Sequence, residues 1–276
     1  MKKNNPSNPE IDVSIVIVAY KNAALLKLCL DALSKNISSA VSFEIIVVDS
    51  EASEEVRDLV LDCYPQVAYL PFLENIGFAK GLNEGLRHAK GKALLSLNPD
   101  IIVQPGSIEA LYRYAMDHPE AGIIGPMLLN FNGSRQASCF AFYTPFTILY
   151  RRTFLGKTFP GKRALKNFII ATEENGPQKI VGWLMGSALM VRADNLKQVG
   201  MMDERYFMYF EDVDWCRRFH EAGFDVVYYP AARMFHYHGK QSASKNIFSI
   251  FFNKITFIHL LSGFKYFVKF KGWRVA

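Results

Sequence analysis

Cysteine is scarce in this chain. The four residues, Cys29, Cys63, Cys139 and Cys216, lie far apart and form no CxxC pair. A disulfide framework and a paired-thiol zinc site are therefore disfavoured, and free thiols in a reducing compartment are expected. No uninterrupted apolar stretch reaches the roughly 18 residues needed to cross a bilayer. The first ten residues are polar, and the short β-branched run that follows reads as a strand and not as a signal-peptide core. A cytoplasmic location is the expectation. Walker A, GxSxG, GxGxxG and HExxH patterns are all missing, which weighs against P-loop, serine-hydrolase, dinucleotide-binding and metalloprotease chemistry. There is no internal repeat, low-complexity tract or Pro/Gly/Ser-rich linker. With 276 residues, half of them apolar, the chain suits one large α/β domain with a well-buried core.

Acidic residues stop at Asp225. Beyond it lie eight cations: Arg233, Lys240, Lys245, Lys254, Lys265, Lys269, Lys271 and Arg274. The rest of the chain carries 24 cations against 26 anions, so the net charge of +6 belongs to the C-terminal end.

What is present reads as alternating elements. Strand-like runs at 11–20, 43–49, 66–70 and 93–97 alternate with helical patterns at 22–33, 53–63, 76–89 and 107–117. This β-α-β order predicts a mostly parallel, doubly wound sheet with flanking helices. Ligands bind beyond the carboxyl ends of such strands, here Ala19-Tyr20, Asp49-Ser50 and Asn98-Pro99-Asp100. The stretch 138–178 is less regular. Strand character returns at 179–192, a helix is expected at 212–222, and a last strand at 226–229.

Four constellations carry candidate chemistry. Gly77, Gly81 and Gly85 share one helix face within 75–85, so either a ligand or the sheet approaches that backbone closely; the helix N-terminus could also face a diphosphate. Asp100 follows Pro99, which ends the strand ladder, and its carboxylate suits Mg²⁺ or Mn²⁺ shared with diphosphate oxygens; an Asx-type turn is the structural alternative. Glu211, Asp212 and Asp214 crowd three carboxylates at a helix start. One carboxylate suffices as a cap, and crowding raises a pKa toward that of a general base. His236 and His238, two apart on an extended segment, point the same way, and an imidazole can complete a metal shell.

In this order, VSIVIVAYKN, EIIVVDSEAS, NIGFAKGLNEGLRHAKG, LLSLNPD, MGSALMVR, DERYFMYFEDVDWCRR and HYHG resemble the family 2 glycosyltransferases, in particular their bacterial rhamnosyltransferase-like branch. The resemblance runs from about Val13 to Gly239. It implies a GT-A fold, a divalent metal (Mg²⁺ or Mn²⁺) and a nucleotide-sugar donor, dTDP-rhamnose being one. By resemblance, Ala19, Tyr20 and Asp49 hold the base and ribose, with Asn75, Gly77, Lys80, Asn83 and Asn98 also on the nucleotide-sugar side. Asp100 and His236 bind the metal, Asp212 is the catalytic base, and Trp183 and Glu211 line the acceptor pocket. The chain departs from the family at Asn98, where the DXD signature starts with Asp, and at Leu82, where Arg is frequent.

The expected organisation is a polar extension at 1–10, a catalytic domain at 11–240 (nucleotide half 11–105, acceptor half 106–240) and a basic amphipathic tail at 241–276. Within that tail, 247–270 reads either as a helix lying on an anionic membrane or as one packed on the domain. The implied acceptor is a lipid-linked or cell-surface glycan, with the enzyme on the inner face of the membrane and no nucleic-acid partner. Three readings compete. A nucleotidyltransferase would need a Gly-rich loop that AYKNAALL lacks. A processive synthase would need membrane spans. A non-catalytic nucleotide-sugar-binding subunit draws support from Asn98.

Overall fold

The computed structural model describes residues 10–170, 172, 176–237 and 254–270. Its elements are β1 (Val13–Ala19), α1 (Ala23–Asn36), β2 (Phe43–Ser50), α2 (Glu54–Cys63), β3 (Ala68–Phe72), α3 (Phe78–His88), β4 (Ala93–Leu97), β5 (Ile101–Val103), α4 (Ser107–Asp117) and β6 (Ala121–Leu129). There follow β7 (Cys139–Phe140), α5 (Pro145–Arg152), a 3-10 turn (Phe154–Lys157), α6 (Phe159–Phe168), β8 (Lys179–Ile180), β9 (Trp183–Leu184), β10 (Ala188–Arg192), α7 (Ala193–Val199), α8 (Glu211–Glu221), β11 (Asp225–His236) and α9 (Lys254–Lys269).

Among the described residues, nine strands form one sheet in the order β3-β2-β1-β4-β10-β6-β11-β5, with β8 also on β11. The first four strands are parallel, as expected from their β-α-β connections. β10 then runs antiparallel to both β4 and β6, so the second half is mixed. Strand order reverses between β1 and β4, which opens a crevice beyond their carboxyl ends, where Ala19-Tyr20 and Asn98–Asp100 emerge. β1 and β4 are buried along their whole length, which explains their unbroken Val/Ile/Leu character.

The two longest strands depart most from the sequence patterns, β6 being unexpected and β11 longer than expected. β6 (AGIIGPMLL) contains two glycines and Pro126, yet it is buried throughout between β10 and β11. β11 runs on past Tyr229, where Pro230 points to an end. Opposite the step from Pro126 to Met127, β11 advances from Tyr229 to Arg233, so an irregularity in the ladder absorbs both prolines. This continuation carries His236 to the strand's end, opposite Ile101 and one residue from Asp100.

The glycine face of α3 packs on the sheet. A Cβ on Gly81 would sit 3.0 Å from Val18 Cγ1, and one on Gly85 would overlap Val16 Cγ1. Of the two agents considered for that close approach, the sheet is the one present at Gly81 and Gly85. Gly85→Ala is expected to cost about 1–3 kcal/mol through overpacking, despite alanine's better helix propensity. Urea denaturation measures it, and an unchanged midpoint would contradict this packing.

Candidate active site

Among the described residues, four non-glycine residues adopt a left-handed backbone: Lys21, Glu51, Tyr209 and Phe210. All four sit next to expected site residues, at the carboxyl ends of β1 and β2 and just before α8. Such strain concentrates where surrounding structure fixes a functional geometry. Lys21 and Glu51 form an ion pair of 2.5 Å.

Buried carboxylate oxygens without a partner mark the same places. Among the described residues these are Asp49 Oδ1, Asp100 Oδ1, Glu109 Oε2 and Glu211 Oε2, and three of the four belong to expected site residues. An unmatched buried acceptor costs about 1–3 kcal/mol.

Asp49 is fully buried and pairs in register with Ala19 across β1 and β2. Its Oδ2 accepts from the Tyr69 hydroxyl (2.8 Å) and the Ser53 N–H (3.3 Å). Burial pushes its carboxyl above the usual range, against those two hydrogen bonds. Tyr20 beside it is about half exposed. Asn75 closes the turn after β3, its Oδ1 accepting from Ser50 Oγ (3.2 Å) and the Gly77 N–H (3.0 Å). Gly77 starts α3 at φ +78°, and a Cβ there would lie 2.5 Å from the Phe207 carbonyl oxygen.

Asp100 lies between β4 and β5, with its Oδ2 3.5 Å from His236 Nε2. The histidine's tautomer follows from its neighbour. Gln136 Nε2 donates to Asn130 Oδ1 and to the His236 carbonyl oxygen, both at 2.8 Å. Its Oε1 is therefore left to accept from His236 Nδ1–H at 2.8 Å. In the neutral ring the Nε2 lone pair then faces Asp100. Ser187 Oγ lies 3.5 Å from the same Nε2, and the Ser187 carbonyl oxygen accepts from the Asn98 N–H (2.9 Å). His238 falls outside the described residues.

The carboxylate cluster at α8 divides into two roles. Asp214 is structural: it is fully buried, with Arg218 Nε at 2.8 Å and Lys269 Nζ at 2.6 Å. Among the described residues, Glu211 and Asp212 have no such cation. Asp212 Oδ2 accepts from the Gly186 N–H (2.9 Å) and Oδ1 from its neighbour Val213's N–H (2.8 Å). Burial raises Asp212 to about 6 in spite of those bonds. Burial, and then the charge of Asp212, push Glu211 well above the carboxylate range. The two backbone donors favour charge on Asp212, so the pair carries one negative charge there near neutrality, with the proton on Glu211.

The adjacent residues Gly186 and Ser187 join these halves. Gly186 holds Asp212, and Ser187 faces His236. Both lie in MGSALMVR, but neither they nor Gln136 stand out by residue type. A glycine contributing its backbone N–H leaves no chemical signature in sequence.

Two expected residues are committed elsewhere. Asn83 is buried and spends its amide on Met202 and Glu204, stapling α3 to the loop before α8. The reading that gives it a nucleotide contact is not supported by this placement. Trp183 is 6% exposed, stacks on Phe140 and Tyr143, and donates Nε1–H to the Ala141 carbonyl oxygen. It therefore has no polar atom left for an acceptor. Lys80 is exposed on α3.

A metal at Asp100 and His236 fits what is present. The orphaned Asp100 oxygen and the oriented imidazole nitrogen make an O,N pair suited to Mn²⁺ or Mg²⁺ with further oxygens from a ligand. Among the described residues no cluster of three or more His, Cys, Asp or Glu could hold an ion alone.

Residues 14–160 match the model of the family described as glycosyl transferase family 2. The chain is 33% identical over 236 residues to the N-acetylglucosaminyl-diphospho-decaprenol L-rhamnosyltransferase of Mycobacterium tuberculosis, covering 81% of this chain and 75% of that protein. It is 27% identical to rhamnosyltransferase WbbL of Escherichia coli K12, covering 92% of each. Among solved structures, it resembles GalNAc-T7 with UDP, GalNAc and Mn²⁺ (TM-score 0.64, 17% identity, covering 83% of this chain but 44% of that one). It also resembles mannosyltransferase PcManGT of Pyrobaculum calidifontis with GDP-Man and Mn²⁺ (TM-score 0.55, 16% identity, covering 83% and 58%). The expected GT-A fold and rhamnosyltransferase-like branch are thereby met.

Proposed function

The chain belongs to glycosyl transferase family 2, and on that premise we propose that it is an inverting hexosyltransferase. It moves a sugar, L-rhamnose from a dTDP donor in our reading, onto a lipid-linked or cell-surface glycan precursor. The M. tuberculosis and E. coli relatives are named as rhamnosyltransferases, and this supports the donor sugar. A lipid diphosphate appears in the name of the first, which supports the acceptor class and a site of action on the inner face of the membrane.

One observation carries the mechanism: Asp212, held ionised by two backbone N–H groups, takes one of them from Gly186, and the next residue, Ser187, faces His236 and through it Asp100. An acceptor hydroxyl is a poor nucleophile, so a carboxylate must take its proton as the bond to the sugar C1 forms. Asp212 takes it. Glu211, holding its own proton, hydrogen-bonds the acceptor and keeps the negative charge on Asp212. The orphaned Asp49 oxygen accepts an N–H of the nucleobase. Asp100 and His236 hold a divalent ion, which when bound supplies Lewis acidity for the departing diphosphate. Gln136, by accepting from Nδ1–H, selects the tautomer that turns the His236 Nε2 lone pair toward that ion. Among the described residues Glu211 keeps its proton and Asp212 serves as the base, so neither is left as the nucleophile of a covalent sugar intermediate, and the reading is a single displacement with inversion.

Transfer followed by ¹H NMR across a pH series tests this. Asp212 must be ionised, so the rate should fall about tenfold per unit below about pH 6, and the product should carry the inverted anomer. A flat profile from pH 5 to 8, or retained configuration, would contradict the assignment.

A further inference from the structure

α9 has two unlike faces. On one, Ser262 Oγ donates to the Met208 carbonyl oxygen (2.9 Å), Tyr266 is fully buried, and Lys269 binds Asp203 and Asp214. This face fixes the helix to the loop and helix that carry Glu211 and Asp212. On the other, Phe257, Leu261, Phe264 and Val268 are 65%, 42%, 67% and 62% exposed. Their spacings of four, three and four residues form one stripe along the helix. A helix that only packed on the domain would be polar on that side. A continuous exposed apolar stripe marks a contact surface.

A second set of apolar side chains stands nearby. α5 abuts α9, since a Cβ on Gly263 would lie 3.4 Å from Ile148 Cδ1. From α5, the 3-10 turn and α6 come Leu149, Phe154 and Phe159, exposed by 42%, 72% and 82%. Within the two segments the charges have one sign, although Lys269 is already paired with Asp203 and Asp214 of the domain. Residues 139–172 contain six Lys and Arg and no Asp or Glu, and 254–270 contain three Lys and none. Lys157, Lys162, Arg163 and Lys166 are exposed.

We propose that α9 and the 145–168 segment together seat the protein on an anionic lipid bilayer. The bilayer matches both properties at once: acyl chains take the phenylalanines, and headgroup phosphates meet the cations. A second copy of this chain would bring the same cations against themselves, with no acid in either segment to offset them. A nucleic acid would engage the cations and leave the stripe uncovered. Phe210, immediately before Glu211, packs on Tyr143 from one side and on His259 and Tyr266 of α9 from the other. The seat therefore borders the carboxylate pair, where a lipid-borne acceptor would arrive. The proposal does not depend on the catalytic reading, since membrane binding is measured without any sugar.

The test is co-sedimentation of the full chain with phosphatidylcholine vesicles, with and without phosphatidylglycerol. Binding is expected only with phosphatidylglycerol and should weaken as salt rises. Each interfacial cation contributes about fivefold, so the triple variant K162Q/R163Q/K166Q should bind about 100-fold more weakly. Phe159→Ser and Phe264→Ser should also weaken binding, through separate elements. Nucleotide-sugar binding, measured in solution, should be unchanged in all of them, which reports an intact fold. Equal binding to both vesicle types, or a triple variant that binds like the parent, would overturn the proposal. So would absence of vesicle binding; a dimer dissolved by Phe264→Ser in sedimentation velocity would then assign the face to a second copy.

Discussion

Asp212→Asn should lower sugar transfer by about 10²–10⁴-fold while nucleotide-sugar binding persists. The substitution keeps the side chain's shape and one acceptor oxygen but removes the ability to take a proton. It should also leave stability unchanged or raised. Asp212 titrates near 6 in the folded protein, above its unfolded value of 3.8. A raised pKa means that the native state binds the proton more tightly than the unfolded chain does. The stabilisation from holding that proton is complete below about pH 4 and lost as pH rises through 6, so at neutral pH the ionised group is a net cost. That cost is of order 3 kcal/mol at most, and it is shared with Glu211. An asparagine escapes it. Thermal melts at pH 7.5 should therefore show a variant at least as stable as the parent, with the difference shrinking toward pH 4.5. Wild-type-like turnover would remove Asp212 from the base role, and a clear loss of stability would make it a structural residue.

Asp100→Ala should have an effect of similar size through different chemistry. The alanine removes the carboxylate that faces His236 Nε2 and with it the orphaned oxygen. Loss of Lewis-acid stabilisation worth several kcal/mol predicts a fall in rate of about 10³-fold. Mn²⁺ binding in the presence of nucleoside diphosphate, read from the electron paramagnetic resonance of the free ion, should be lost together with the rate. Gln136→Leu, which touches neither metal nor sugar, should weaken Mn²⁺ binding about 10- to 100-fold by freeing the imidazole tautomer. Full Mn²⁺ affinity in Asp100→Ala would refute the proposed ligand set.

Much of this was legible in residue patterns. The parallel half of the sheet could be read because its strands are fully buried and thus unbroken apolar runs. The antiparallel half was harder. β6 and β11 are interrupted by Gly125, Pro126 and Pro230, which signal breaks locally but are absorbed here by a shared irregularity. The carboxylate cluster was visible as a crowd, yet only the fold separates Asp214, neutralised by Arg218 and Lys269, from the uncompensated pair. Lys269 comes from α9, 55 residues away, a pairing that no local pattern reveals. The three glycines of α3 were ambiguous for the opposite reason, since close approach of a sheet and of a ligand demand the same residue. Gly186, Ser187 and Gln136 act through a backbone N–H, a hydroxyl and an amide that are ordinary anywhere in a protein. Their role exists only once β10, α8 and the end of β11 converge.

The most direct test of the account is release of nucleoside diphosphate from a panel of nucleotide sugars, including dTDP-rhamnose, UDP-glucose, UDP-galactose and GDP-mannose. Each is offered with a lipid-diphosphate sugar acceptor, with Mn²⁺ or with chelator. The account predicts turnover of one donor, dTDP-rhamnose, that requires both metal and acceptor and disappears in Asp212→Asn. Folded protein that turns over no donor under these conditions, or turnover that persists with chelator and in the Asp212→Asn variant, would contradict it.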